Sequence, residues 1–250
     1  MNARIPSGQR VYAIGDIHGR FDLLEVLHTK IVEDAGDASD FAKTIVYLGD
    51  YVDRGSRVYE VIETLASEPE DDWLRVFLRG NHEYMMLGFL AGSYPFGSWL
   101  LNGGDATLVS YGVDISAMMW ASALSVHEVD VDESEEAKIR AVFAAKLPPP
   151  HAGFLQDLTL QHRCGDYVFV HAGIRPGVPL EDQDSQDLIW IRETFLLSEV
   201  DYGAIVVHGH TISDHVDFRP NRIGIDTGAW RSNCLSCIVL EEDEVRIIQT

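Results

Sequence analysis

Short runs rich in Val and Ile recur along this chain, and nearly every one ends in a string of Gly, Asp, Asn and His. Ile14 leads into Gly15-Asp16-Ile17-His18-Gly19, and Leu48 into Gly49-Asp50-Tyr51-Val52-Asp53-Arg54-Gly55. Leu78 leads into Arg79-Gly80-Asn81-His82-Glu83, and Val170 into His171-Ala172-Gly173. Val207 leads into His208-Gly209-His210-Thr211, and Ile225 into Asp226-Thr227-Gly228. Runs of this length and β-branching read as buried strands. They fall at residues 10–14, 44–48, 74–78, 167–170, 204–207 and 222–225.

Helical patterns separate the first three. Leu23, Leu24, Leu27 and Ile31 predict one apolar helix face over residues 21–32. Val58, Val61, Ile62 and Leu65 predict another over 56–66, with Ser56 as its N-cap. The first half is therefore βαβαβα, an α/β pattern with crossover helices. The second half reads as more antiparallel. A strand over 158–163 and the one at 167–170 flank a hairpin turn at Cys164-Gly165-Asp166, and runs 234–240 and 244–248 flank an acidic turn. The expected fold is an α/β layered sandwich of mixed sheets with helices outside. Residues 1–250 form one domain on this reading, and 91–147 is an inserted helical lobe with helices over 98–110 and 134–145, closed by Pro148-Pro149-Pro150. The acidic run 130–136 reads as a solvated helix start.

In an open α/β sheet, sites form beyond the carboxyl ends of the strands. Five such ends would carry Asp16, His18, Asp50, Asn81, His171 and His210 to one place. Imidazoles, carboxylates and an amide oxygen suit Mn²⁺, Fe or Zn²⁺ better than thiophilic ions. Six ligands exceed what one open catalytic ion takes, and they match a pair of ions sharing a carboxylate.

The net charge of −21 argues against a nucleic-acid-binding surface. A phosphate substrate would have to be drawn by local cations. No apolar run is long enough for a membrane helix and no signal peptide is visible, so a cytoplasmic protein is expected. Cys164, Cys234 and Cys237 are an odd set and fit a reducing compartment; the last two read as buried thiols on one strand.

Taken in order, the strings resemble the phosphoprotein phosphatase family of the metallophosphoesterases, above all its phage-lambda and bacterial members. Leu101-Asn102-Gly103-Gly104 and Ile189-Trp190-Ile191-Arg192-Glu193 are similar to further segments of that family, and the likeness spans about residues 10–229. The resemblance implies an α-β-β-α sandwich holding two divalent ions, with Mn²⁺ expected and Fe or Zn²⁺ as alternatives. It implies that Asp16 and His18 hold the first ion, that Asp50 bridges, and that Asn81, His171 and His210 hold the second. His82 would be the general acid oriented by Asp53, with Arg54 and Arg192 gripping phosphate. A hydroxide bridging the ions would then attack phosphorus in line.

The implied activity is hydrolysis of phosphoserine and phosphothreonine proteins, extending to phosphotyrosine and aryl phosphates. Two alternatives stay open: a symmetrical dinucleoside tetraphosphate hydrolase and a non-catalytic metal-binding scaffold. Asp53 and Glu83 favour the protein phosphatase, because the tetraphosphate enzymes lack the former and usually carry Asp at the latter. His208 and Asp226 have no assigned role. His28, His127, His151, His162 and His215 read as solvated or core residues, and Trp99, Trp120 and Trp230 as packing.

Overall fold

The computed structural model describes residues 3–36, 40–68, 71–115 and 133–250. Trp120, His127 and the first part of the acidic run, 130–132, lie outside the described residues.

The chain begins with β1 (Gln9–Ile14), α1 (Phe21–Gly36), β2 (Ala42–Tyr47), α2 (Val58–Ala66), β3 (Leu74–Phe77) and α3 (Asn81–Leu90). The expected crossover units are thus present, with β1 parallel to β2 and β2 parallel to β3. After a helical stretch come β4 (Gln161–Cys164), β5 (Tyr167–Val170), β6 (Ile205–His208), β7 (Asp217–Arg219), β8 (Arg222–Gly224), β9 (Ser236–Glu241) and β10 (Glu244–Gln249). They sort into two five-stranded sheets, β10-β9-β1-β2-β3 and β4-β5-β6-β8-β7. Both are mixed: β9 runs antiparallel to β1, while β5, β6 and β8 are parallel within the second sheet.

Side-chain alternation explains the layering. Val11 and Ala13 of β1 join Val46, Phe169, Val207 and Ile223 in the core between the sheets. Tyr12 and Ile14 face the other way, against Leu24, Leu27 and Ile31 of α1 and Val58, Val61 and Ile62 of α2. Val168, Val170 and Val206 bury the outer face of the second sheet against Leu188, Ile189 and Phe195. Successive residues of a strand point to opposite faces, so each central strand is apolar on both. The result is the α-β-β-α sandwich. No helix of the described residues is long and apolar enough to cross a membrane.

Several local expectations are corrected. The second helix starts at Val58, and its N-cap is Arg57, which makes no side-chain cap bond; Ser56 lies outside it. The strand expected over 158–163 is Gln161–Cys164; Thr159 instead forms an isolated bridge with Leu78, just past β3. β9 starts at Ser236, so Cys234 precedes the strand and is half-buried, while Cys237 is buried on it. The helix expected over 98–110 is split into α4 (Phe96–Trp99), a π turn at Leu100–Gly104 and α5 (Asp105–Ser110), with Gly103 at φ 96°. The proline string ends the helix Glu133–Lys146 and also opens the next one, Pro149–Gln156, since proline suits a first helical turn. Both hairpins close as expected: Cys164 pairs with Tyr167 and Glu241 with Glu244.

Candidate metal centre and active site

All six expected ligands are buried at the strand ends: Asp16, His18, Asp50, Asn81, His171 and His210. Asp50 is the hub. Its Oδ2 lies 3.5 Å from His18 Nε2, and its Oδ1 lies 3.4 Å from His171 Nε2. Two groups with potential ligand atoms in reach of one cation therefore share this carboxylate: His18, Asp50 and His82, and Asp50, His171 and His210. Asn81 Oδ1 lies 3.0 Å from His171 Nε2, and the Asp16 carboxylate accepts the His210 amide at 3.0 Å.

The local backbone is strained to achieve this. Seven non-glycine residues among those described have positive φ, and His18, Asp50, Asp53, Arg54 and His210 are five of them. Such conformations cost about 1 kcal/mol or more each and persist where the surroundings enforce them. Two glycines are required by close approach. A Cβ at Gly80 would collide with Asp50 Oδ1, and one at Gly209 with Asp16 Oδ1.

The donor set fits divalent cations. His18 and His171 fix their Nδ1 atoms on the carbonyls of Val52 and Leu48, both at 2.8 Å. That leaves Nε2 facing the cluster, and among the described residues Nε2 of His18 and of His210 is buried without a hydrogen-bond partner. A buried polar atom left unpaired is costly, so this arrangement makes sense for atoms that hold a ligand. Burial holds His18, His171 and His210 below the usual imidazole range, His210 to about 2 with His171 adding to the effect. Neutral imidazoles keep a lone pair for a cation. Burial raises Asp50, but His171, His82, His18 and His210 around it outweigh that and hold it well below the carboxylate range. Burial and the neighbouring Asp226 and Asp50 carboxylates push Asp16 up. Crowded carboxylates of this kind call for positive charge between them.

His82 stands differently. Its Nδ1 is 2.6 Å from Asp53 Oδ2, and its Nε2 is 3.1 Å from Arg54 Nη2. Burial lowers its pKa, but Asp50 and Asp53 outweigh burial and raise it. Among the described residues no carboxylate forms an ion pair with Arg54 or Arg192. Arg192 is exposed and donates to Thr211 Oγ1 at 3.2 Å.

Several supporting roles escaped the sequence reading. Trp99, expected only to pack, is buried and also donates Nε1–H to Asp53 Oδ2 at 3.0 Å. Thr107 donates to Asp53 Oδ1 at 2.6 Å. Asp53 is thus held from three sides. Glu83 accepts the amides of Asp50 (2.9 Å), Tyr51 (2.7 Å), Val52 (3.2 Å) and Gly80 (2.9 Å), pinning the two strand ends together. Asp226 lies against Asp16 and accepts the Gly228 amide at 2.8 Å. His208 is a core residue: Nδ1 lies 3.0 Å from the Gly209 carbonyl and Nε2 3.4 Å from Arg222. Trp230, also expected to pack, is 38% exposed and lies with its ring 5.1 Å from the Arg54 guanidinium. The Leu101-Asn102-Gly103-Gly104 string was a usable signal, because the Gly103 carbonyl accepts the Arg54 amide at 3.1 Å.

These two groups around a shared carboxylate could each hold a metal ion. The chain belongs to the calcineurin-like phosphoesterase family, whose pattern matches residues 9–229. It is 27% identical to serine/threonine-protein phosphatase 1 of Salmonella typhimurium, over 88% of this chain and 87% of that protein. It is 24% identical to the asymmetrical bis(5'-nucleosyl)-tetraphosphatase of Anoxybacillus flavithermus, over 92% and 90%. Among solved structures, a cold-active protein tyrosine phosphatase shares the fold with a TM-score of 0.63 at 16% identity, covering 100% of this chain and 83% of that one.

Proposed function

We propose that this phosphoesterase hydrolyses phosphomonoesters of serine and threonine in proteins, with tyrosine and aryl phosphates as further substrates. In this reading Asp16, His18 and Asp50 hold one divalent ion, and Asp50, Asn81, His171 and His210 hold the second. We take residues 1–250 as one domain, with 91–147 inserted. The bound ions, Mn²⁺ in the first instance, supply positive charge to the phosphoryl oxygens and activate the attacking water.

The chain's own groups supply the rest. Arg54 and Arg192 carry guanidinium forks that match phosphate oxygens, and among the described residues neither forms an ion pair with a carboxylate. His82 gives a proton from Nε2 to the departing oxygen. Asp53, itself fixed by Trp99 and Thr107, sets the ring orientation and stabilises its charged form. A charged His82 can no longer accept from Arg54, so protonation frees the Arg54 Nη2 atom for the phosphate.

The observation that carries the choice of substrate is the 2.6 Å His82–Asp53 pair beside Asp50. A serine or threonine alkoxide leaves poorly without a proton, whereas a nucleotide leaves as a stabilised phosphate anion. A scaffold that only binds metal needs no proton donor. Tetraphosphate hydrolysis is the second reading, supported by the name of the Anoxybacillus relative at 24% identity. The Mn²⁺-loaded protein should therefore be assayed on a phosphoserine peptide and on dinucleoside tetraphosphates. Higher kcat/KM on the peptide is expected. Preference for a tetraphosphate would replace this substrate, and turnover of neither would favour the scaffold.

A further inference from the structure

Trp230 is unusual in two respects. It follows the Asp226-Thr227-Gly228 string in a four-residue helix, Ala229–Ser232, and leaves 38% of its surface in solvent. Its ring lies 5.1 Å from the centre of the Arg54 guanidinium. An exposed tryptophan kept against a cation at the mouth of a buried site has little use as core packing.

Arg54 has a specific need for such a neighbour. Its backbone sits at φ 69°, its amide is tied to the Gly103 carbonyl, and its Nη2 reaches His82. The long side chain still has freedom that must be lost when it grips an anion. A carboxylate partner would hold it, but would also neutralise it and compete with phosphate for the same N–H groups. An aromatic face attracts the cation through its quadrupole and takes none of those donors.

We infer that Trp230 is a positioning residue: its indole face presets Arg54 for the phosphoryl oxygens while leaving the guanidinium charge and donors free. This rests on the reading of Arg54 as a phosphate-binding residue. The interaction acts on the bound phosphate more than on proton transfer, so it should appear in affinity rather than in turnover.

The test compares Trp230→Leu, Trp230→Phe and Arg54→Ala in the metal-loaded protein. Inorganic phosphate binding is measured by calorimetry and KM and kcat on an aryl phosphate. Trp230→Leu, which keeps an apolar side chain but loses the π face, should weaken phosphate binding and raise KM by roughly 3- to 10-fold, with the smaller change in kcat. Trp230→Phe should restore most of the affinity. In an Arg54→Ala background, Trp230→Leu should add nothing. Native-like phosphate binding by Trp230→Leu would overturn the inference, as would equal losses from Leu and Phe or additive losses with Arg54→Ala. If Arg54→Ala alone left phosphate binding unchanged, the phosphate role of Arg54 would fall and this inference with it. If Arg54→Ala weakened binding and Trp230→Leu did not, only the inference would fall.

Discussion

Buried histidines in two parts of this molecule obey opposite rules. Under α2, His151 is buried with both ring nitrogens engaged: Nδ1 with Tyr111 at 2.8 Å and Nε2 with Glu63 at 2.7 Å. At the strand ends, His18 and His210 are also buried, yet among the described residues each leaves Nε2 with no hydrogen-bond partner. The first group is a finished hydrogen-bond network inside a helical layer. The second spends backbone strain and an unpaired nitrogen to keep lone pairs facing a shared carboxylate. For these histidines the unsatisfied ring nitrogen, more than burial itself, is the difference.

Substitutions can break this contrast, and the largest effect belongs to its hub. Asp50→Asn should lower kcat by roughly 10³-fold or more and reduce bound metal, measured by steady-state kinetics and elemental analysis. His82→Asn should lower kcat by about 10²- to 10⁴-fold while metal content is retained. The loss should be smaller on an aryl phosphate with an acidic leaving group than on a phosphoserine peptide. Loss of metal in that variant would instead make His82 a ligand, a role its place beside His18 and Asp50 permits.

The finished network should respond in stability alone. His151→Ala should leave kcat unchanged and lower unfolding stability by about 1–3 kcal/mol, because Tyr111 loses its partner in a buried place. The smallest effect is a pH dependence away from the site. Burial lowers His28, which lies 3.0 Å from the Tyr47 hydroxyl, to about 4 from its ordinary 6.5. Above pH 6.5 the ring is neutral in both folded and unfolded chains and contributes nothing. As pH falls from 6.5 towards 4, the unfolded chain binds a proton that the folded one refuses, so stability declines. Since the ring is half-buried, the decline should be on the order of 1–2 kcal/mol, and it should be absent from the urea-midpoint profile of His28→Gln.

Much of the candidate site was legible because its residues lie in short strings at strand ends. Such strings depend on local turns, and the glycines that permit them are adjacent in sequence. Supporting residues were not legible in that way. Trp99 and Thr107 reach Asp53 from 46 and 54 residues away, and neither residue type by itself points to a distant carboxylate. Glu83 was noted as part of a string, but its grip on Asp50, Tyr51 and Val52 depends on how β2 and β3 are aligned. The misplaced Ser56 cap shows the converse limit: a good local signal fails when the chain before the helix is committed to the Asp53-Arg54 turn.

By itself the sequence determined the alternation of buried strands and amphipathic helices, and with it the layered sandwich and the location of reactive groups at strand ends. Those follow from periodicity and turn chemistry, which act over a few residues. Only the tertiary structure decided that one Asp50 oxygen faces His18 and the other His171, that Asp53 is clamped behind His82, and that Trp230 leaves the core to cover Arg54. These arrangements depend on the relative placement of two sheets and the loops between them, a packing outcome that no local pattern encodes.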